Sequence, residues 1–364
     1  MKYLNPPLQR LPRRVHLGTI FKGLALALLV LALGGWSLTA LSTEQATEQE
    51  TYTMERSYYL ISHIRGAVYD LQVNGLNVKK ETNASPKSYS LPINHLMRTG
   101  ENTITFNYAP IAGFDPETNQ VISELHDTFF ARIAIESMNL TTRERERITL
   151  MDISYDSENN ALQGNLKNPQ GQEHVYETEN LSTDGRVRQS NPHVIVNGIG
   201  TPLPTEPLTV SFTTPDRFPA FHWLDAVELE DTPQMRAELV AAYERMYSYI
   251  YNEEFDSFLQ ELEPVWRHAA ITMGVGQTAM DFVERLDIEN RNVRVRPNGQ
   301  ILNPLKIPDN LDHHVEFMGE GRLVRIQPAP VTWQYPDSDR YSRMQLLFYK
   351  TPSREWKVAR ILTD

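Results

Sequence analysis

One stretch limits what this chain can be. Gly23 to Thr43 reads GLALALLVLALGGWSLTALST and holds no charged residue between Lys22 and Glu44. As a helix it would run about 31 Å at about 1.5 Å per residue, close to the ~30 Å hydrocarbon core of a bilayer. Lys2, Arg10, Arg13, Arg14 and Lys22 precede it with no acid among them, and the acidic EQATEQE of Glu44 to Glu50 follows. The positive-inside rule places such a leader in the cytoplasm and the remainder across the membrane. The rival is a cleaved signal peptide, for which Ala40-Leu41-Ser42 is a small-residue site. The reading taken is a basic cytoplasmic tail (1–22), a transmembrane signal anchor (23–43) and a polar linker (44–57). A large ectodomain then lies on the periplasmic side of a bacterial inner membrane, the N-terminus being cytoplasmic and the chain single-pass.

The rest of the 364 residues has room for two ordinary domains or one large one. A formal net charge of −11 excludes a general nucleic-acid binder, and beyond the N-terminus no segment stands out as strongly basic. The chain has no cysteine, which removes disulfides, thiolate metal sites and cysteine nucleophiles. Large secreted ectodomains of eukaryotes usually carry bridges, so this favours a bacterial envelope.

From Tyr58 the texture is that of short strands separated by turn residues. Asn74-Gly75 stands between alternating Leu71/Val73 and Leu76/Val78, a hairpin signal because both turn positions need positive φ. Thr99-Gly100-Glu101-Asn102 is another turn, opening onto Ile104, Phe106 and Tyr108 on one face. With further strands at 129–136, 148–155, 194–196 and 208–212, residues 58–230 read as an all-β sandwich. Asp156 to Pro192 is rich in Asn, Gln, Glu and Gly and reads as a long disordered loop.

The order LQVNGLNV, then LPINHLMRTGENTITFNY, resembles the galactose-binding-like jelly roll that accompanies many glycoside hydrolases. About 40 residues match, on turn chemistry. The resemblance implies a jelly-roll sandwich, a fold that binds carbohydrate in many modules and serves as a spacer or contact surface in others.

At Thr232-Pro233 the period switches. An N-cap Thr with Pro at the first helical position introduces Met235, Leu239, Ala242, Met246 and Tyr249 at helical spacing. Further helices are expected through Phe255–Leu262 and Gln277–Leu286, and strands at 293–301, 313–318, 322–327, 331–335, 344–350 and 355–362. Helices followed by a curved antiparallel sheet ending in EWKVARI are similar to the nuclear-transport-factor-2-like cone over 232–364. The expected fold class is therefore a single N-terminal transmembrane helix, an all-β jelly-roll-like sandwich, and an α+β unit.

No nucleophile elbow, phosphate-binding loop or dinucleotide fingerprint occurs, and no catalytic residue, metal or cofactor is expected. His313-His314-Val315-Glu316 lacks the partner spacing of a zinc site. The concave face of a cone can enclose a ligand, and Trp266, His313 and Trp333 are the candidate lining. The function expected is a non-enzymatic binding or assembly module held to the membrane, with an envelope protein or a glycan as partner and no nucleic acid. Carbohydrate binding by the sandwich is one alternative, and a hydrolase or isomerase using the C-terminal pocket another.

Overall fold

The computed structural model describes residues 51–167, 173–175, 194–196 and 202–363. Its first part is built from β1 (Arg56–Arg65), β2 (Ala67–Val73), β3 (Leu76–Glu81), β4 (Lys87–Pro92), β5 (Gly100–Pro110), β6 (Gly113–Phe114), β7 (Val121–Ile122), β8 (Phe130–Asn139), β9 (Arg145–Asp156), β10 (Ala161–Lys167), β11 (Glu173–Val175), β12 (Val194–Val196), β13 (Pro202–Pro204) and β14 (Glu206–Thr214). They form two large antiparallel sheets, ordered β11-β10-β9-β8-β1-β4 and β14-β5-β2-β3, and two small ones, β12-β13 and β6-β7. Leu60, Ile64, Leu71, Phe106, Tyr108, Ile133 and Ile153 fill one core that both sheets supply. The part is sheet-rich and sandwich-like. Strand β2 is buried along almost its whole length, because Val68 packs in a separate cluster with Ala109 and Leu203.

The two turn motifs are joined. Asn74 and Gly75 take φ of 52° and 72° and close the Val73–Leu76 pair as a two-residue loop. The Asn74 amide donates to the Leu96 carbonyl (2.7 Å) and to Asn102 Oδ1 (2.8 Å), while its own Oδ1 accepts from the Thr103 backbone N–H (3.0 Å). Asn102 is fully buried and ties the backbone of Arg98 and Gly100. Buried amides are tolerated here because their donors and acceptors are met. The network fixes the 3-10 turn Asn94–Leu96, which carries His95.

The second part opens with α1 (Pro233–Tyr251), α2 (Phe255–Thr272), α3 (Ala279–Arg285) and α4 (Ile288–Arg291). Thr232 caps α1 by accepting from the Met235 N–H (3.1 Å), with Pro233 in the first turn. Then follow β15 (Ile301–Leu302), β16 (Val315–Met318), β17 (Leu323–Ile326), β18 (Val331–Gln334), β19 (Tyr341–Lys350) and β20 (Trp356–Thr363). They pair in the order β15-β18-β19-β17-β16, with β20 also on β19. Tyr243 of α1 is fully buried; its hydroxyl donates to the Leu346 carbonyl (2.9 Å) and accepts from the Ile326 N–H (3.1 Å), which pins the helix to two strands.

These parts meet along a seam. Met318, Leu323, Leu347, Tyr349 and Ala359 belong to the same core cluster as Leu60 and Phe106. Gly319 N–H donates to the Gly75 carbonyl (3.2 Å), so the tip of the β2–β3 hairpin rests on the β16–β17 turn. Glu316 pairs with Lys80 (3.0 Å) and with Arg325 (2.6 Å), whose side chain is only 2% exposed. Desolvation would raise the Glu316 carboxyl, but Arg325 and Lys80 hold it below its ordinary value. The described residues from 51 onward belong to one compact unit.

The expected fold class is corrected on these grounds. The described chain is mostly β-sheet with four α-helices; the helices pack on the second sheet in a core of their own, while the first core cluster extends onto that sheet through Met318, Leu323, Leu347, Tyr349 and Ala359. Among the described residues no helix is long and apolar enough to cross a membrane. The segment 23–43, read as the anchor, lies outside the described residues. Part of the expected loop at 156–192 is strand: β10 pairs with β9 and with β11, extending the first sheet. The remainder of that loop lies outside the described residues.

Candidate functional site

A cavity of about 550 Å³ opens between α2, α3, α4, the segment leading to β15, and strands β19 and β20. Its apolar wall is Trp266, Phe282, Leu286, Ile288 and Ile361. Trp266 on α2 and Phe282 on α3 stack with centroids 5.4 Å apart and planes 17° from parallel. Helix α3 is held for this contact by a capping box, in which Thr278 Oγ1 accepts from the Asp281 N–H (3.2 Å) and Asp281 accepts from the Thr278 N–H (2.8 Å). The Trp266 indole N–H is buried and has no hydrogen-bond partner.

The polar wall centres on Arg296. Its guanidinium lies 3.7 Å over the ring of Trp333, a fully buried residue of β18 whose own indole N–H donates to the Val293 carbonyl (2.8 Å). Arg296 Nε donates to the Arg291 carbonyl (2.6 Å), and Nη1 donates to Ser342 Oγ (2.6 Å) and Gln300 Oε1 (3.0 Å). Burial, with the nearby positive charge of Arg291, lowers the Arg296 guanidinium to about 10, still charged at neutral pH. Arg291 and Arg343 complete a basic rim, with Arg343 stacked over Tyr341 at 4.6 Å. Among the described residues none of these three arginines forms an ion pair with a carboxylate. The one acidic residue of the lining, Asp287, accepts from the Asn290 amide (2.7 Å).

Of the three residues expected in a lining, Trp266 lines the cavity, while Trp333 is fully buried under Arg296 and is not part of the lining. His313 does not join them. It is exposed, at φ 63°, in the turn before β16. A left-handed residue breaks strand alternation, so the expected strand begins at Val315 and His313 belongs to neither of its faces. His314 is held by a contact between its Nδ1 and the Gln327 carbonyl (2.6 Å), and Glu316 is committed to the seam. Among the described residues no group of three or more His, Asp or Glu side chains is placed to hold a metal ion.

The arginines escaped the sequence reading, although a signal existed. Asn290 to Pro308 contains Arg291, Arg294, Arg296 and Lys306 and no acid, a local reversal within a chain of net charge −11. A second, smaller cavity of about 120 Å³ borders Arg56 and Tyr58, but both side chains already bind Asp216. No protein-family model matches this chain, and neither a curated protein nor a solved structure does.

Proposed function

We propose that the chain is a non-enzymatic binding or assembly module, and that the cavity walled by Trp266, Phe282 and Arg296 is where it receives its ligand. In this reading it works outside the cytoplasmic membrane of a bacterium, tied to the inner membrane through its N-terminal segment. The localisation rests on the charge asymmetry of residues 1–50 and the absence of cysteine.

The observation that carries the reading is the composition of the cavity lining. It offers guanidinium, amide and hydroxyl donors beside an aromatic wall, and its only carboxylate is engaged by a neighbour. Such a surface recognises and retains; it pairs no nucleophile with a base. A volume near 550 Å³ falls in the range of pockets that enclose small molecules or one side chain of a partner.

The test is a photoreactive amino acid at Asn298, on the cavity lining, in the full-length protein kept in its native membrane. One reproducible adduct, lost when the cavity is narrowed by Ser342→Phe, is the expected result. Turnover by the purified protein that disappears on changing one cavity residue would overturn the non-enzymatic reading. Absence of any adduct would overturn the placement of the site.

A further inference from the structure

We infer that the cavity is a site for a small organic anion, with the acidic head on the edge of Arg296 and an apolar body against the Trp266–Phe282 stack. The inference rests on the reading of this cavity as a binding site and names the chemistry of its occupant.

Arg296 is half-buried, is fixed by three hydrogen bonds to neutral acceptors, and has its face covered by Trp333. Other partly or fully buried cations are matched by acids, Arg325 by Glu316, Lys350 by Glu238 and Arg245 by Glu261, whereas Arg360, which is not on this lining, has only His95. At Arg296 the described protein supplies no such acid, and Arg291 adds further positive charge. Desolvated charge without a counter-charge is costly, and a bound anion removes the cost. Nε and Nη1 are spent on the protein, which leaves Nη2 as the donor facing no described acceptor. The Trp266–Phe282 stack gives the same lining an apolar wall, and inorganic anions gain nothing from aromatic surface. An organic anion uses both walls.

The full-length protein would be titrated with benzoate, phenyl phosphate, sulfate and the neutral isostere benzamide, at ionic strength held constant with chloride. Tryptophan emission reports the contact, since Trp266 lines the cavity and Trp333 lies directly under Arg296, and the melting temperature reports it independently. Benzoate or phenyl phosphate is expected to bind saturably, at least about tenfold tighter than benzamide or sulfate. Arg296→Gln should weaken that binding by about tenfold or more. Arg291→Gln, at an exposed rim position, should weaken it by a few fold with the melting temperature of the free protein unchanged, which separates loss of charge from loss of fold.

Preference for phenyl phosphate over benzoate would assign a doubly charged head, and the reverse a carboxylate. Benzamide binding as tightly as benzoate overturns the anion while leaving the binding reading in place. Sulfate binding as tightly as benzoate overturns the role of the apolar wall. No saturable response to either organic anion up to about 10 mM overturns the inference; if the Asn298 adduct still forms, only the anion is lost, and if it does not, both readings fall.

Discussion

Single side chains in this molecule either satisfy the backbone around them or leave a debt. Tyr243 is of the first kind, since its hydroxyl meets a carbonyl and an amide of two different strands. Tyr243→Phe should leave the Ile326 N–H buried without an acceptor and cost about 1–3 kcal/mol in urea denaturation. Arg360 is of the second kind: Nη2 reaches His95 at 2.7 Å, but Nε and Nη1 are enclosed without partners. Burial, then repulsion from Arg325, lowers its guanidinium to about 9. Arg360→Met should therefore raise the urea midpoint, by about 1–3 kcal/mol of stability, and a lowered midpoint would show that the cation is compensated. His268 lies in the same region, its Nε2 3.3 Å from the His95 carbonyl. Desolvation, followed by the charge of His222, lowers its pKa to about 4, and His95 shifts in the same direction through desolvation and Arg360. Below about 6.5 an unfolded histidine takes a proton that the folded one refuses. Stability should fall as pH drops from about 6.5 to about 4, and His268→Leu should flatten that slope in chemical denaturation at stepped pH.

Elements, unlike single residues, were largely legible, because turn chemistry and periodicity are local properties. The hairpin at Asn74-Gly75 could be read from two letters, since only residues tolerant of positive φ close such a loop. The left-handed φ at Gly75 should make Gly75→Ala destabilising by about 1 kcal/mol even though the added Cβ meets nothing nearer than 3.6 Å. The Thr232-Pro233 start of α1 was equally plain. Helix α2 shows where local reading weakens, since it runs through Pro264 to Thr272, with Val265, Trp266, Ala270 and Ile271 buried beyond the proline. Strand β10 was hidden by polar composition, because its pairing with β9 adds to a sheet already nucleated elsewhere. Of the cavity lining only Trp266 was named from the sequence. Tryptophans at 266 and 333 announce buried aromatic surface, whereas the convergence of Arg291, Arg296 and Arg343 depends on strand β19 arriving beside α4, a non-local event. His313 failed for a local reason, a left-handed turn residue that no neighbouring letter signals.

At the scale of the molecule the seam decides behaviour. The apolar cluster crosses it, the Gly319–Gly75 contact staples it, and the Lys80–Glu316–Arg325 chain of charges runs along it. Calorimetry of the protein should show one cooperative transition for the described region; two well-separated transitions would mean that the seam carries little energy. Such a shared core also has a temporal side. The cluster that Met54 opens is completed by Ala359, so the first sheets emerge from the ribosome long before the residues that cover them. During synthesis the side of that cluster which Met318, Leu323, Leu347, Tyr349 and Ala359 cover stays open until the last strands arrive, the kind of exposed apolar surface that a holding chaperone shields.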